Sequence, residues 1–131
     1  MPFATGRNIK LKVAQTASKI SIQIDLKLVE QALINLVTNS IYALDGIDSP
    51  FIEINYRIDQ NKLFLDVSDN GKGIEEDLIE KIFVPFFTTR KNGSGIGLTI
   101  TRNIMKMHMG SLEVVSAPFE KTTFSLVFKY Q

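Results

Sequence analysis

Asn35 and Asn39 lie four residues apart in "DLKLVEQALINLVTNSIYAL" (25–44), so on a helix they stack one above the other at the margin of its apolar face. Asparagine is a poor helix-interior residue, and a stacked pair is either two satisfied amides at the core edge or an oxygen donor set. The second reading suits Mg²⁺, which takes hard oxygen ligands, usually one or two from protein and the rest from phosphate and water. A second candidate is "VSDNGKGIEE" (67–76), where an apolar stretch ends on Asp69, Asn70 and two glycines flanking a lysine. Asp-Asn-Gly is ordinary turn chemistry. It also fits a carboxylate accepting from a buried amino group, such as that of a purine, with Gly71 and Gly73 letting the backbone pass a flat ligand.

The third candidate is "NGSGIGL", in which Gly93, Gly95 and Gly97 precede or enter a helix. A glycine in a first turn costs about 1 kcal/mol against alanine, and bare N–H groups there form an anion site. The spacing is neither a Walker A loop nor a dinucleotide fingerprint. Before it runs "IFVPFFTTRK", whose Phe83, Phe86 and Phe87 read either as a local apolar cluster or as anchors of a closing lid. In the lid reading, Thr88, Thr89, Arg90 and Lys91 face a nucleotide.

These residues need elements to hold them. "NIKLKV" (8–13) and "KISIQI" (19–24) alternate like half-buried strands, and Asp25 is placed as the N-cap of a helix with Val29, Ala32, Leu33, Leu36, Ser40 and Ala43 on one face. "FIEINYRI" (51–58) and "KLFLDVSD" (62–69) read as a hairpin, and "EEDLIEKIF" (75–83) as a short helix with acids in its first turn. Residues 84–95 have no period and form an expected loop. The helix 96–109 carries Ile96, Ile100, Ile104 and Met107 on one face and stops at Gly110, and "SLEVVSA" and "KTTFSLVFKY" close the sheet.

The 131 residues, 44% hydrophobic, suit one domain with one two-layer core. A net charge of +1 excludes the basic field that drives nucleic-acid binding. With no cysteine and one histidine, disulfides and thiolate metal sites are excluded and zinc has little to bind. No apolar run reaches the roughly 20 residues of a membrane span, and the N-terminus lacks a signal core, so the expected location is cytoplasmic.

The order of the motifs is more specific than any one of them. An asparagine helix, then DNGKGI, then Phe-Pro-Phe-Phe-Thr-Thr, then GSGIGL, resembles the N, G1, F and G2 boxes of the catalytic ATP-binding domain of bacterial sensor histidine kinases. That family is one branch of the Bergerat-fold ATPases, with DNA gyrase, mismatch-repair MutL proteins and heat-shock chaperones. The resemblance covers residues 8–129 and implies a two-layer α/β sandwich, three helices on a mixed, mostly antiparallel sheet. It implies ATP and Mg²⁺ as cofactors, with Asn39 coordinating Mg²⁺ and Asn35 supporting metal and phosphates. Asp69 would bind the adenine amino group, Gly71, Gly73 and Ile74 would shape the base pocket, and Phe87, Thr88, Thr89, Arg90 and Lys91 would form a nitrogen-regulatory-type lid. Gly93, Ser94, Gly95, Ile96, Gly97 and Leu98 would meet the phosphates. Thr122 or Thr123 would join the adenine water network, with the choice open.

In the hydrolytic relatives and in anti-sigma serine kinases, the residue four before the magnesium asparagine is typically a glutamate. Here it is Asn35, and an amide cannot accept a proton, so the expected chemistry is positioning of ATP for transfer to a histidine. That histidine belongs to a separate dimerisation domain, for which nothing before residue 8 leaves room. An excised or stand-alone domain acting in trans is expected, with a response regulator as indirect partner. His108 reads as structural. A serine kinase and a nucleotide-gated interaction module are the alternatives. Two departures from the family, Met109-Gly110 after His108 and Glu120-Lys121 in the final bend, bear on hairpin geometry rather than on the four boxes.

Overall fold

The computed structural model describes residues 10–13, 22–87 and 95–130, the first four by their backbone alone. Five strands form one sheet: β1 (Lys10–Val13), β2 (Phe51–Asp59), β3 (Lys62–Asp69), β4 (Ser111–Ala117) and β5 (Lys121–Lys129). Their spatial order is β1-β2-β3-β5-β4, and all neighbours are antiparallel except β1 with β2. Helices α1 (Leu26–Ala43) and α2 (Gly97–Met107) pack on one face. This is the expected two-layer α/β sandwich on a mixed, mostly antiparallel sheet.

Asp25 caps α1 as expected, its Oδ1 accepting from Leu28 N–H at 3.2 Å. The helix buries Val29, Ala32, Leu36, Val37, Ser40 and Ile41. These pack over Ile52, Ile54, Val67, Phe124 and Leu126 of the three central strands, and the core is continuous from helix to sheet. β3 and β5 pair along their full lengths, with Asp69 opposite Thr122 and Val67 opposite Phe124. Because residues directly opposite share a face, Asp69 and Thr122 emerge together at the helix side of the sheet end. On the other face the buried Asp66 carboxylate accepts from Arg57 Nε at 2.9 Å and from the Ser125 hydroxyl, so no charge there is left alone.

Three expectations change. The third helical segment is not one helix but two 3₁₀ turns, Glu76–Leu78 and Lys81–Phe83. Nine residues ending at Val84-Pro85 are too few to offset helix nucleation, and the acidic start supplies no side-chain cap. The strand read at 19–24 falls partly outside the described residues, and its described part, 22–24, has no regular structure. The buried face of α2 is Thr101, Ile104 and Met105, while Ile100 and Met107 are exposed. A polar residue in the seam displaced the apparent apolar stripe. Among the described residues, no helix is long and apolar enough to cross a membrane.

The end of α2 also differs in detail. Gly110 N–H bonds back to Met105 carbonyl at 2.8 Å, and the left-handed position that this closure needs is Met109, at φ +57°. Gly110 is required for a different reason, since a Cβ there would lie 2.1 Å from the Val127 carbonyl oxygen. A left-handed methionine costs roughly 1 kcal/mol more than glycine. Met109→Gly is therefore expected to stabilise the fold by about 0.5–1 kcal/mol, readable as a rise in the denaturant midpoint with unchanged slope. Met109 is 82% exposed, so the exchange removes no packing.

Candidate functional site

Asp69 stands at the end of a central strand and is only 4% exposed, so burial pushes its carboxyl above the ordinary value. Two groups oppose that shift: the Gly71 N–H, which donates to Oδ1 at 2.9 Å, and the Ser40 side chain. The buried Ser40 hydroxyl approaches Asp69 without forming a well-shaped hydrogen bond and has no other partner among the described residues. A buried carboxylate held by one good donor at the edge of a cavity is under-satisfied, and a ligand donor would complete it.

A cavity of about 140 Å³, partly open to solvent, lies between α1, α2 and the sheet end. α1 contributes Asn39, Tyr42 and Ala43, the sheet Asp69, Thr122 and Phe124, the turn after β3 Lys72, Gly73 and Ile74, and α2 Gly97 and Leu98. Ile82, Phe87 and Gly95 close the remaining side. Mostly apolar walls with few polar groups suit a flat, partly apolar ligand.

The two glycines of the turn serve the protein before they serve any ligand. A Cβ on Gly71 would lie 2.4 Å from the Ala43 carbonyl oxygen, so the turn is pressed onto the end of α1, where Lys72 N–H donates to that same carbonyl at 3.0 Å. Gly71 accordingly sits behind the cavity wall. Gly73 has φ +74° and faces Pro118 at 2.6 Å from its would-be Cβ. Beside it, Ile74 N–H donates to Ser116 Oγ at 3.0 Å, and Ser116 Oγ pairs with Thr122 Oγ1 at 2.6 Å. The two threonines face opposite ways: Thr122 lines the cavity, whereas Thr123 bonds Ser68 at 2.8 Å on the opposite face.

At the other end, α2 begins at Ile96 without any side-chain cap, unlike α1. Its first residue, Gly97, lines the cavity and, among the described residues, has nothing within 4 Å of a would-be Cβ. A helix start without a side-chain cap, with Gly97 and Leu98 lining the cavity, is suited to an anion. Gly95 is no free hinge: at φ +74°, its carbonyl accepts from Phe86 N–H at 2.9 Å and a Cβ would strike Phe86 at 2.4 Å.

Asn35 and Asn39 part company. Asn39 lines the cavity; Asn35 does not, its Nδ2 donating to Gly97 carbonyl and to Thr101 Oγ1, both at 3.2 Å, and its Oδ1 accepting from Gln31 Nε2 at 2.9 Å. Of the other expected residues, Ile96 occupies the N-cap position of α2 without a side-chain hydrogen bond, and Thr88, Thr89, Arg90, Lys91, Gly93 and Ser94 lie outside the described residues. Tyr42, Lys72, Ile82 and Phe124 were not singled out. Tyr42 had a signal, being three residues after Asn39 and so on the same helix face. Among the described residues no group of three or more His, Cys, Asp or Glu side chains converges. Among the described residues that line the cavity, Asn39 would offer a Mg²⁺ ion one protein oxygen, and phosphate and water would supply the remainder, a set that Mg²⁺ accepts readily.

Residues 24–131 match the model of the histidine kinase-, DNA gyrase B- and HSP90-like ATPases. The chain belongs to that family. It is similar to the sensor histidine kinase ZraS of Salmonella typhimurium, at 32% identity over 123 residues, covering 94% of this chain and 26% of that protein. Sporulation kinase A of Bacillus subtilis is 32% identical over 125 residues, covering 95% and 20%. A nucleotide-free structure of the catalytic domain of histidine kinase ThkA superposes with a TM-score of 0.83 at 30% identity, covering 98% of this chain and 83% of that one. Full-length ShkA in complex with AMPPNP, at 22% identity and a TM-score of 0.83, shares the fold. The chain is homologous to the ATPase domains of sensor histidine kinases and spans about a quarter or less of the length of these two curated relatives. ATP is thus the ligand class of this ATPase domain.

Proposed function

We propose that the cavity binds ATP as its magnesium complex and presents the γ-phosphoryl group to a histidine on a separate helical dimerisation domain, in a cytoplasmic two-component pathway. The observation that carries this reading is the pairing of a buried, under-satisfied Asp69 at one end with the uncapped start of α2 at the other, and Asn39 between them. Asp69 takes the adenine amino group, with the Thr122–Ser116 pair beside it. The N–H groups of Gly97 and Leu98 face the phosphates, and the Asn39 amide oxygen is the protein ligand for Mg²⁺, whose bound charge would offset that of the phosphates. Thr88, Thr89, Arg90, Lys91, Gly93 and Ser94 are proposed to cover the phosphates as a lid.

No side chain in the described cavity lining other than Asp69 is a carboxylate, and Asp69 is at the base end. One turn before Asn39, Asn35 carries an amide that cannot accept a proton, and that amide faces α2. Transfer to an intrinsically nucleophilic imidazole needs alignment more than activation.

The reading is tested by mixing the domain with a separately produced histidine-bearing helical domain and γ-labelled ATP. Acid-labile, base-stable label on that histidine is the expected result, and phosphoserine or no transfer contradicts it. Asn39→Ala is expected to cut the Mg²⁺-dependent gain in ATP affinity by about tenfold while leaving adenosine binding within twofold, measured by calorimetry with and without the ion.

A further inference from the structure

We propose that Thr101, together with Asn35, is a positioning residue that holds the first turn of α2 so that its N–H groups point into the phosphate end of the cavity; this rests on the nucleotide reading above. Thr101 is fully buried between the helices and is the one polar residue on the buried face of α2. Its hydroxyl donates to Gly97 carbonyl at 2.9 Å and accepts from Asn35 Nδ2 at 3.2 Å, while the same Nδ2 reaches Gly97 carbonyl at 3.2 Å. The three groups form a closed triangle centred on the first peptide of the helix.

The orientation of Asn35 is forced by chemistry. A carbonyl oxygen can only accept, so Asn35 must turn its NH₂ to Gly97, and its oxygen then meets the donating Gln31 amide at 2.9 Å. The Asn35 oxygen is therefore engaged by Gln31 of α1, and Asn35 is not among the residues that line the cavity. Asn35 acts on the site through Gly97 rather than by touching the ligand.

Gly97 needs such a clamp. It has no side chain and, among the described residues, nothing within 4 Å on its Cβ side, so no packing seen there fixes it, and Ile96 at the N-cap position supplies no side-chain cap. The clamp grips the carbonyl of a residue that itself lines the cavity. A buried hydroxyl costs free energy unless bonded, and an isosteric valine would fill the same space without that cost. The hydroxyl is explained by what it holds.

The test is calorimetric titration of the purified chain with adenosine, ADP and Mg·AMPPNP, comparing wild type with Thr101→Val, Thr101→Ser and Asn35→Ala. The expected result is a fall of about tenfold in AMPPNP affinity for Thr101→Val, adenosine affinity within twofold, recovery in Thr101→Ser, and no further loss when Asn35→Ala is added to Thr101→Val. Should Thr101→Val fail to fold, Asn35→Ala alone must show the same split between AMPPNP and adenosine. Equal losses for adenosine and AMPPNP, or no loss, with wild type binding both, overturn the positioning role alone. Absence of nucleotide binding by the folded wild type overturns both readings.

Discussion

Asp69→Asn is expected to weaken adenine nucleotide binding about 100-fold without lowering the thermal midpoint of the free domain. The binding loss follows from geometry. Gly71 N–H already donates to Asp69 Oδ1, so the asparagine oxygen must stay there and its NH₂ must face the cavity. An adenine amino group would then meet a donor where it needs an acceptor, losing a charge-assisted hydrogen bond of about 1.5–3 kcal/mol and gaining a repulsion.

The stability arm has the opposite sign. Burial raises the Asp69 carboxyl above its ordinary 3.8, so the native chain holds that proton more tightly than the unfolded chain does. Between 3.8 and the raised value stability falls as pH rises, and at neutral pH the ionised, buried group opposes folding. The neutral amide avoids that term. Nucleotide affinity in wild type should likewise decline as pH is lowered through the raised value, because the protonated carboxyl loses its charged acceptor. Calorimetry and thermal unfolding on the same samples check all three. A variant that binds as tightly as wild type removes Asp69 from the base site.

Gly71→Ala is expected to destabilise the domain by about 3 kcal/mol, near the upper end for an overpacked position. The added methyl would sit 2.4 Å from the Ala43 carbonyl oxygen and 2.7 Å from its carbon. Both are backbone atoms at the end of α1, so no rotamer change relieves the clash. Moving the turn away would also strain the hydrogen bonds from Lys72 N–H to Ala43 carbonyl, 3.0 Å, and from Phe119 N–H to Gly71 carbonyl, 3.1 Å. Those bonds fasten the turn to the helix and to the β4–β5 hairpin. Nucleotide affinity should fall as well, since the Gly71 N–H orients Asp69. Chemical denaturation measures the first effect and ADP titration at a temperature where the variant is folded measures the second. A loss under 1 kcal/mol would mean that the turn adjusts freely and that Gly71 is not a packing requirement.

Local signals read well wherever one element decided the matter. The Asp25 cap and the 3.6-residue spacing of Val29, Ala32 and Leu36 define α1, and alternation defines the β2–β3 hairpin with its two-residue link. What the sequence could not carry depended on a second element. Thr122 and Thr123 are neighbours on a strand, so only the pairing of Thr122 with Asp69 says which one faces the site. Gly71 and Gly110 look like flexible turn residues until Ala43 and Val127 are seen against them. The α2 stripe was misread because Thr101, polar by type, is buried by its bonds to Gly97 and Asn35. Asn35 and Asn39 are one turn apart on α1, but one amide belongs to the helix interface and the other to the cavity.

The most direct test of nucleotide binding between α1, α2 and the end of the sheet is a backbone amide spectrum of the labelled domain titrated with Mg·ADP. Saturable shifts concentrated at Ile74, Gly97, Leu98 and Thr122, with Thr123 and Ser125 on the opposite face unmoved, are the expected result. Shifts confined to that opposite face, or none at millimolar nucleotide, would contradict it.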